Sequence, residues 1–472
     1  MIETRRAQRT FGDGLIAEEV KDLHEEWMKH ADRMLADKEI VAAIYEALAK
    51  RHPQSRTRGR PGTPAEVVLR LLVLKHMRNW SYGVLEREVR ANLVYRDFTR
   101  VGATKMPDAK TMGRWGVAVG PVVVKQIHDR IVQIARDHRV AQGRRMRVDT
   151  TVVEANIHYP TDSSLLGDGV RVLIRTMKKI TGIAGVAGAQ LRDRSRSVKW
   201  RELEIARAAR AKGRQSGGEK LARSYRRLLQ ATGRVVGQAK RFATQIGDGV
   251  KRAADTRRQV VLEGLRRELE SMVPRVRQVL RQTNARVFAG DTHAENKIVS
   301  LFEPSTEVIR KGKAGKPTEF GKIVKLQEAE NQIVVAYEVY DRRPSDSDLL
   351  LAAIETHQAT LGCTPHLVAA DAGFYSAKNE AAAKAKGVKR VCIPNRSTKS
   401  PERKREQKKR WFRNGQKWRT GCEGRISVVK RRHGLARSRY KGDAGIKRWV
   451  GLGVIADNLV NISRVMAKQP SR

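Results

Sequence analysis

Two aspartates stand within or at the end of apolar segments of this chain, Asp149 in RVDTTVVE and Asp371 in HLVAADAGFYS. A lone carboxylate is costly to bury at such positions, so each calls for a compensating partner. A third carboxylate, Glu423, lies in RTGCEGRISVVKRRHGLARSR, with Arg419 one helical turn before it and Lys430 about two turns after. On a helix packed beside a sheet these three share a face, so Glu423 could complete a metal site while Arg419 and Lys430 reach phosphates. Carboxylates of this kind suit hard Mg²⁺. Phosphodiester hydrolysis and strand transfer use two such ions about 4 Å apart, one activating the attacking oxygen and one stabilising the leaving oxygen. Plainer readings remain for each residue. Either Asp could cap a helix or bond a buried Arg, and Glu423 could be one half of a surface ion pair with Arg419.

The elements that must carry these residues are read from periodicity. A buried strand is expected over RVDTTVVEANI, and further strands over KIVSLFEP, GKIVKLQEA, QIVVAYEVYD, HLVAADAGFY and KRVCIPNR. Helices fall between or after them in SDLLLAAIETHQATLG and AKNEAAAKAK, which makes a mixed α/β sheet. Asp346, after Pro and Ser and before an apolar run, reads as a helix N-cap. Ahead of the sheet, residues 15 to 140 read almost entirely as helix. Within that region Ser81 is a candidate N-cap, and the two helices around the break at Asn79 to Ser81 suit a helix-turn-helix with Arg87, Arg90, Arg96 and Arg100 near DNA. A helical bundle with a solvated Arg face fits the same residues.

Four segments follow: 1–140, an all-α DNA-binding region; 141–162, the first strand of the catalytic core; 163–286, a basic helical insertion; and 287–472, the rest of the core with C-terminal helices. Near the start of the insertion Asp162 and Asp168 read as turn or cap residues. IRKGKAGKPTEFG is expected to be an exposed loop or hairpin tip. KSPERKREQKKRWFRNGQKWR interleaves Trp411, Phe412 and Trp418 with basic residues, a composition suited to gripping a backbone and stacking on a base, or to a solvated basic helix with its aromatics in the core.

The charge narrows the partners. Against 50 Asp and Glu stand 96 Lys and Arg, a formal net charge of +46, which calls for a polyanion. No stretch approaches the roughly 20 apolar residues of a spanning helix, so nucleic acid fits better than a membrane. Cys363, Cys392 and Cys422 form no CxxC pair, which argues against a disulfide framework and structural zinc and for a reducing cytoplasm. The N-terminus lacks the apolar core of a signal peptide. GLGVIA has too little chain after it for a dinucleotide fold and reads as part of a small-residue closing helix, and AGKPT departs from a phosphate loop at Pro317.

VDTTVVEANIHYPTDSSLLGDGVRVL, AADAGFYS and EGRISVVKRRHGLARSRYKG, in that order, make the chain resemble the DDE transposases of bacterial insertion sequences, most closely the ISNCY-type group, over nearly its whole length. The resemblance implies an RNase H-like core in which Asp149, Asp371 and Glu423 bind two catalytic Mg²⁺ ions, with Mn²⁺ as a substitute. It further implies an N-terminal region that reads the element's terminal inverted repeats in double-stranded DNA. Related sequences carry Tyr, Arg, Glu and Lys on the last helix, and this chain matches at Arg419, Glu423 and Lys430 but has Gln416 where the Tyr falls. Cutting two ends together calls for a homo-oligomer, a dimer at the simplest. Two other readings are kept: an RNase H-superfold nuclease that stops at cleavage, and a nucleic-acid-binding protein without catalysis.

Overall fold

A computed structural model describes residues 1–6, 8, 10–59, 61–184, 191–210, 217–250, 256–310 and 317–469. The chain divides into two compact units, Met1–Asn156 with Ala314–Arg472, and Ile157–Lys313.

The first unit begins with seven helices, α1 (Phe11–Glu19), α2 (Glu26–Leu35), α3 (Lys38–Arg51), α4 (Ala65–Met77), α5 (Tyr82–Ala91), α6 (Leu93–Phe98) and α7 (Ala109–Asp137). Short polar side chains start five of them. Thr10, Asp37, Ser81, Asn92 and Asp108 each accept a backbone N–H that the first turn leaves without a partner. Every residue of α4 is buried, Arg70 included, whose guanidinium is held by Glu66, Asp32 and the Phe98 carbonyl. Of the two helices expected to form a helix-turn-helix, only α5 therefore offers an exposed face. Gly120 at φ +70, followed by Pro121, breaks α7 into two runs. Strand β1 (Arg145–Glu154) follows.

The second unit is a helical bundle of α8 (Asp162–Ala184), α9 (Ser195–Arg210), α10 (Gly217–Val250) and α11 (Thr256–Phe288), and it includes the short strand β2 (Glu307–Arg310). Leu166, Leu173, Leu228, Val235, Leu269 and Val276 form part of its core. The strand expected over KIVSLFEP is absent; that segment is irregular, and β2 begins after it. Its Leu301 is buried in the bundle core, and side chains of α11 take its backbone groups. Gln282 bonds both the N–H and the carbonyl of Ile298 at 2.9 Å, and Arg275 donates to the Leu301 carbonyl. With its polar groups satisfied in this way the segment has no need of a ladder. Asp162 heads α8 and is buried against Arg286, and Asp168 pairs with Arg171 at 2.6 Å. Of the expected loop at IRKGKAGKPTEFG, residues 311–316 lie outside the described residues.

The first unit resumes with β3 (Thr318–Glu328), β4 (Val334–Val339), α12 (Leu349–Leu361), β5 (Leu367–Ala370), α13 (Ala377–Ala385), β6 (Arg390–Cys392), α14 (Pro401–Lys408), α15 (Arg410–Arg432) and α16 (Gly442–Met466). Its strands run in the order β4-β3-β1-β5-β6. β4 and β3 are antiparallel, as are β3 and β1, whereas β1, β5 and β6 are parallel. Alternate residues face opposite layers. Met146, Val148, Val368 and Ala370 pack with α12 and α13, while Ala369 and Cys392 pack against Phe412 of α15. GLGVIA lies inside α16, the buried closing helix, where a Cβ on Gly451 would run into Tyr337. Asn458 of α16 bonds both backbone groups of Val334, which covers the start of β4.

Where α4, α5 and α16 meet, Lys75 is buried with its ammonium 4.6 Å from the Trp449 ring and 4.9 Å from those of Tyr82 and Tyr440. Burial pulls its pKa down to about 7, with Arg439 adding repulsion. The unfolded chain holds this proton up to about pH 10.4. Between those values unfolding takes up a proton, so stability rises with pH by up to about 1.4 kcal/mol per unit and levels off above. Denaturant titrations from neutral to alkaline pH are expected to show this slope, and Lys75→Met to flatten it; an equal slope in both proteins assigns the linkage elsewhere.

Candidate active site

β1 alternates apolar residues toward α12 with Arg147 and Asp149 toward α15. Its parallel register with β5 pairs Val148 with Ala370, so the next two residues, Asp149 and Asp371, come side by side. Adjacent strands lie about 4.8 Å apart, which sets the scale of this approach. Asp149 is half-buried and accepts from the Thr150 N–H at 2.7 Å. Asp371 is exposed at the end of β5 and caps the single 3-10 turn Ala372–Phe374, accepting from the Ala372 N–H at 2.7 Å.

A further aspartate joins this end of the sheet. Asp346 Oδ1 accepts from Thr150 Oγ1 at 3.1 Å, and a Cβ on Gly373 would lie 3.2 Å from Asp346 Oδ2. The expected N-cap role is not what the structure shows. A 3-10 turn, Asp346–Asp348, precedes α12, whose N-cap is Asp348 with no side-chain cap bond. Asp346 thus ties the segment before α12 to β1, next to Asp149, and touches the turn that Asp371 caps. Nothing in the local string SDSD distinguishes these roles, because they depend on which strand lies alongside.

α15 crosses the other face. Its Gly421 lies against Arg147, and its buried Cys422 lies beside Glu328 and near Asp149; burial and those two carboxylates push the thiol well above its usual range. Glu423 is the next residue. Its carboxylate, more than half exposed, pairs with Arg419 at 3.1 Å. Lys430 is half-buried farther along the helix. Gln416, at the position where related sequences have Tyr, donates to the Cys392 carbonyl at 2.7 Å and so fastens α15 to the edge strand β6.

Asp149 and Asp371 are therefore brought together, and Glu423 follows Cys422 on α15 with its carboxylate turned to Arg419. Among the described residues no set of three acidic, His or Cys side chains is already gathered to hold a metal. The donor chemistry fits a hard divalent cation, since Asp149, Asp371 and Glu423 offer carboxylate oxygens alone and the one nearby thiol is buried and held protonated. The three cysteines are free thiols.

Of the four arginines expected at DNA, Arg87 and Arg90 are exposed on α5, with Arg87 also paired to its neighbour Glu88. The other two are engaged inside the fold. Arg96 donates to the carbonyls of Gly102 and Thr104, each at 2.7 Å, and Arg100 grips Asp32 at 2.7 and 2.8 Å. The turn after α6 leaves carbonyls that no helix or strand satisfies, and Arg96 supplies the donors.

Comparison with known families adds two matches. Residues 23–116 match the model described as Transposase domain (DUF772), and residues 299–459 the model described as Transposase DDE domain. The second includes Asp371 and Glu423; Asp149 lies between the two. No curated protein and no solved structure matches the chain.

Proposed function

Since this chain is a DDE transposase of an insertion sequence, we propose that it cleaves DNA at the element's ends and joins the freed ends to target DNA, using Asp149, Asp371 and Glu423 as its metal-binding carboxylates. The observation that carries this reading is the parallel register that sets Asp149 beside Asp371. The order β4-β3-β1-β5-β6, antiparallel on one side of β1 and parallel on the other, supports the RNase H-like core.

Mg²⁺, with Mn²⁺ as a substitute, supplies Lewis acidity at the attacking and leaving oxygens when bound. The chain's part is to place the reactants. Asp149 and Asp371 are anchored by rigid β1 and the end of β5, and Glu423 reaches them from α15 once its pairing with Arg419 opens. Arg419 is then released to a DNA phosphate, so one exchange of partners charges both halves of the site. Lys430 offers a second cation on the same helix. Water attacks first to free a 3′-hydroxyl, which then attacks the target phosphodiester by the same in-line displacement. Two ends must be cut together, and the working form is a dimer on DNA.

Labelled duplex carrying the element's flanking ends, incubated with Mg²⁺ or Mn²⁺, is expected to yield nicked and then joined products. Cutting without joined products reduces the activity to that of a nuclease, and binding without cutting under either metal overturns the proposal.

Duplex binding is assigned to α5. Arg87→Glu with Arg90→Glu is expected to weaken end binding about tenfold and to lower the salt dependence by roughly 2 in log–log slope, at about 0.9 per phosphate contact. Both side chains are exposed, so thermal stability should stay unchanged. An unchanged slope in binding titrations moves the duplex contact off this helix.

A further inference from the structure

Between the starts of β1, β5 and β6 and the first turns of α15 lies a cleft of about 810 Å³. Arg144, Arg145, Lys389, Arg390 and Arg410 line it, all exposed, and no carboxylate does. Elsewhere in the sheet buried cations are paired, as Arg147 is with Glu328. Here, among the described residues, the five cations have no acidic partner. Like charges crowded together repel, and a polyanion entering the cleft relieves that repulsion while releasing its own counterions.

The floor carries two indoles. Within the interleaved basic and aromatic run, Phe412 is buried in the core, but Trp411 and Trp418 are only half-buried and face the cleft. Arg390 lies over the Trp411 ring at 5.6 Å, and Arg147 over that of Trp418 at 5.0 Å. Asn414 adds an exposed amide at the rim. A duplex hides its base faces, whereas a single strand exposes them to aromatic rings. The cleft lies at Leu367, the start of β5, and Asp371 follows its end, so about 13 Å of extended strand separates the two places.

We propose that this cleft is a second nucleic-acid site, distinct from the carboxylates and from α5, that holds single-stranded DNA by its phosphates and stacks an unpaired base on Trp411 and Trp418. The proposal rests on the reading that the chain processes DNA ends, since a strand separated at the cut is the ligand the cleft would hold.

The full chain is titrated with a short labelled oligothymidylate, with the same oligomer made abasic, and with a polyglutamate peptide, following anisotropy and tryptophan fluorescence. Arg145→Glu with Arg410→Glu is expected to weaken oligothymidylate binding about tenfold and to lower the salt slope by roughly 1.4, at about 0.7 per contact for single strands. Trp411→Ala is expected to weaken it about tenfold with the slope unchanged, and to bind the abasic oligomer no worse than the wild type does. Polyglutamate binding as tight as the oligomer's, or equal binding of intact and abasic oligomers by the wild type, overturns the assignment. So does unaltered oligomer binding in the charge-reversed variant. Duplex-end cleavage is measured on the same preparations. If it persists while the cleft variants bind as wild type, the cleft proposal alone falls; if the oligomer results hold but no duplex is cut, the cleft stands and the cleavage reading falls.

Discussion

Asp149→Ala and Asp371→Ala are each expected to lower metal-dependent cleavage of element-end DNA by at least about a thousandfold, corresponding to ~4 kcal/mol of lost transition-state stabilisation, while duplex binding persists. The expectation comes from their adjacency: removing either carboxylate leaves a single anchored ligand where the β1–β5 register provides two. The stability effects differ. Asp371 caps a short turn, and loss of a cap costs about 1 kcal/mol. Asp371→Asn keeps a cap acceptor and removes only the charge, so it should fold as the wild type does and still fail to cut. Parallel melting curves and gel-based cleavage separate the two effects, and full activity in Asp371→Asn removes this residue from the metal site.

Glu423 decides between two readings of α15. If it is the third ligand, Glu423→Ala loses activity on the same scale, and Glu423→Gln does too. If it is only the partner of Arg419, this i,i+4 pair, with its Glu423 end open to solvent, contributes about 0.3–0.5 kcal/mol and both variants remain active. Arg419→Ala discriminates further, because it frees Glu423 toward the carboxylates and removes a phosphate contact. Weaker DNA binding with metal-dependent cleavage retained is the expected pattern.

The strands that carry the two aspartates were legible because β-branched residues crowd around Asp149 and a short apolar run leads into Asp371, both of which suit a buried strand. Ser81 was legible as a cap for the same local reason. What could not be read was partnership across the chain. KIVSLFEP has a strand's composition, but its backbone is bonded by Gln282 and Arg275 of a helix that precedes it. Asp346 resembles a cap and bonds Thr150. Arg96 and Arg100 are indistinguishable by type from Arg87 and Arg90, and only the positions of Gly102, Thr104 and Asp32 separate them. The three carboxylates were singled out by residue type and order, and the i,i+4 spacing that marked Glu423 also offered its ion pair with Arg419, which is the contact the structure shows.

Arg147→Met is expected to destabilise the first unit by about 3–5 kcal/mol, among the largest effects a single change can have here. Arg147 stands opposite Glu328 in the β1–β3 register, and both side chains are buried with their charged ends 2.6 Å apart. The guanidinium also donates to the Trp418 carbonyl at 2.6 Å and lies over the Trp418 ring, so it joins the sheet to α15 two residues before Asp149. Burial raises the Glu328 carboxyl above its ordinary range, and Arg147 opposes that rise most, with Cys422 and Arg425 adding to the opposition. With Arg147 gone, the folded protein should hold a proton on Glu328 that the unfolded chain loses near pH 4.3. Stability of the variant should therefore fall as pH rises above that value, a slope that denaturant titrations from pH 4 to 7 would reveal. Adding Glu328→Leu removes the stranded charge and should recover much of the loss, because a buried pair replaced on both sides is often close to neutral. Recovery of stability without recovery of cleavage would show that Arg147 sets the height of α15, and hence of Glu423, over the two aspartates.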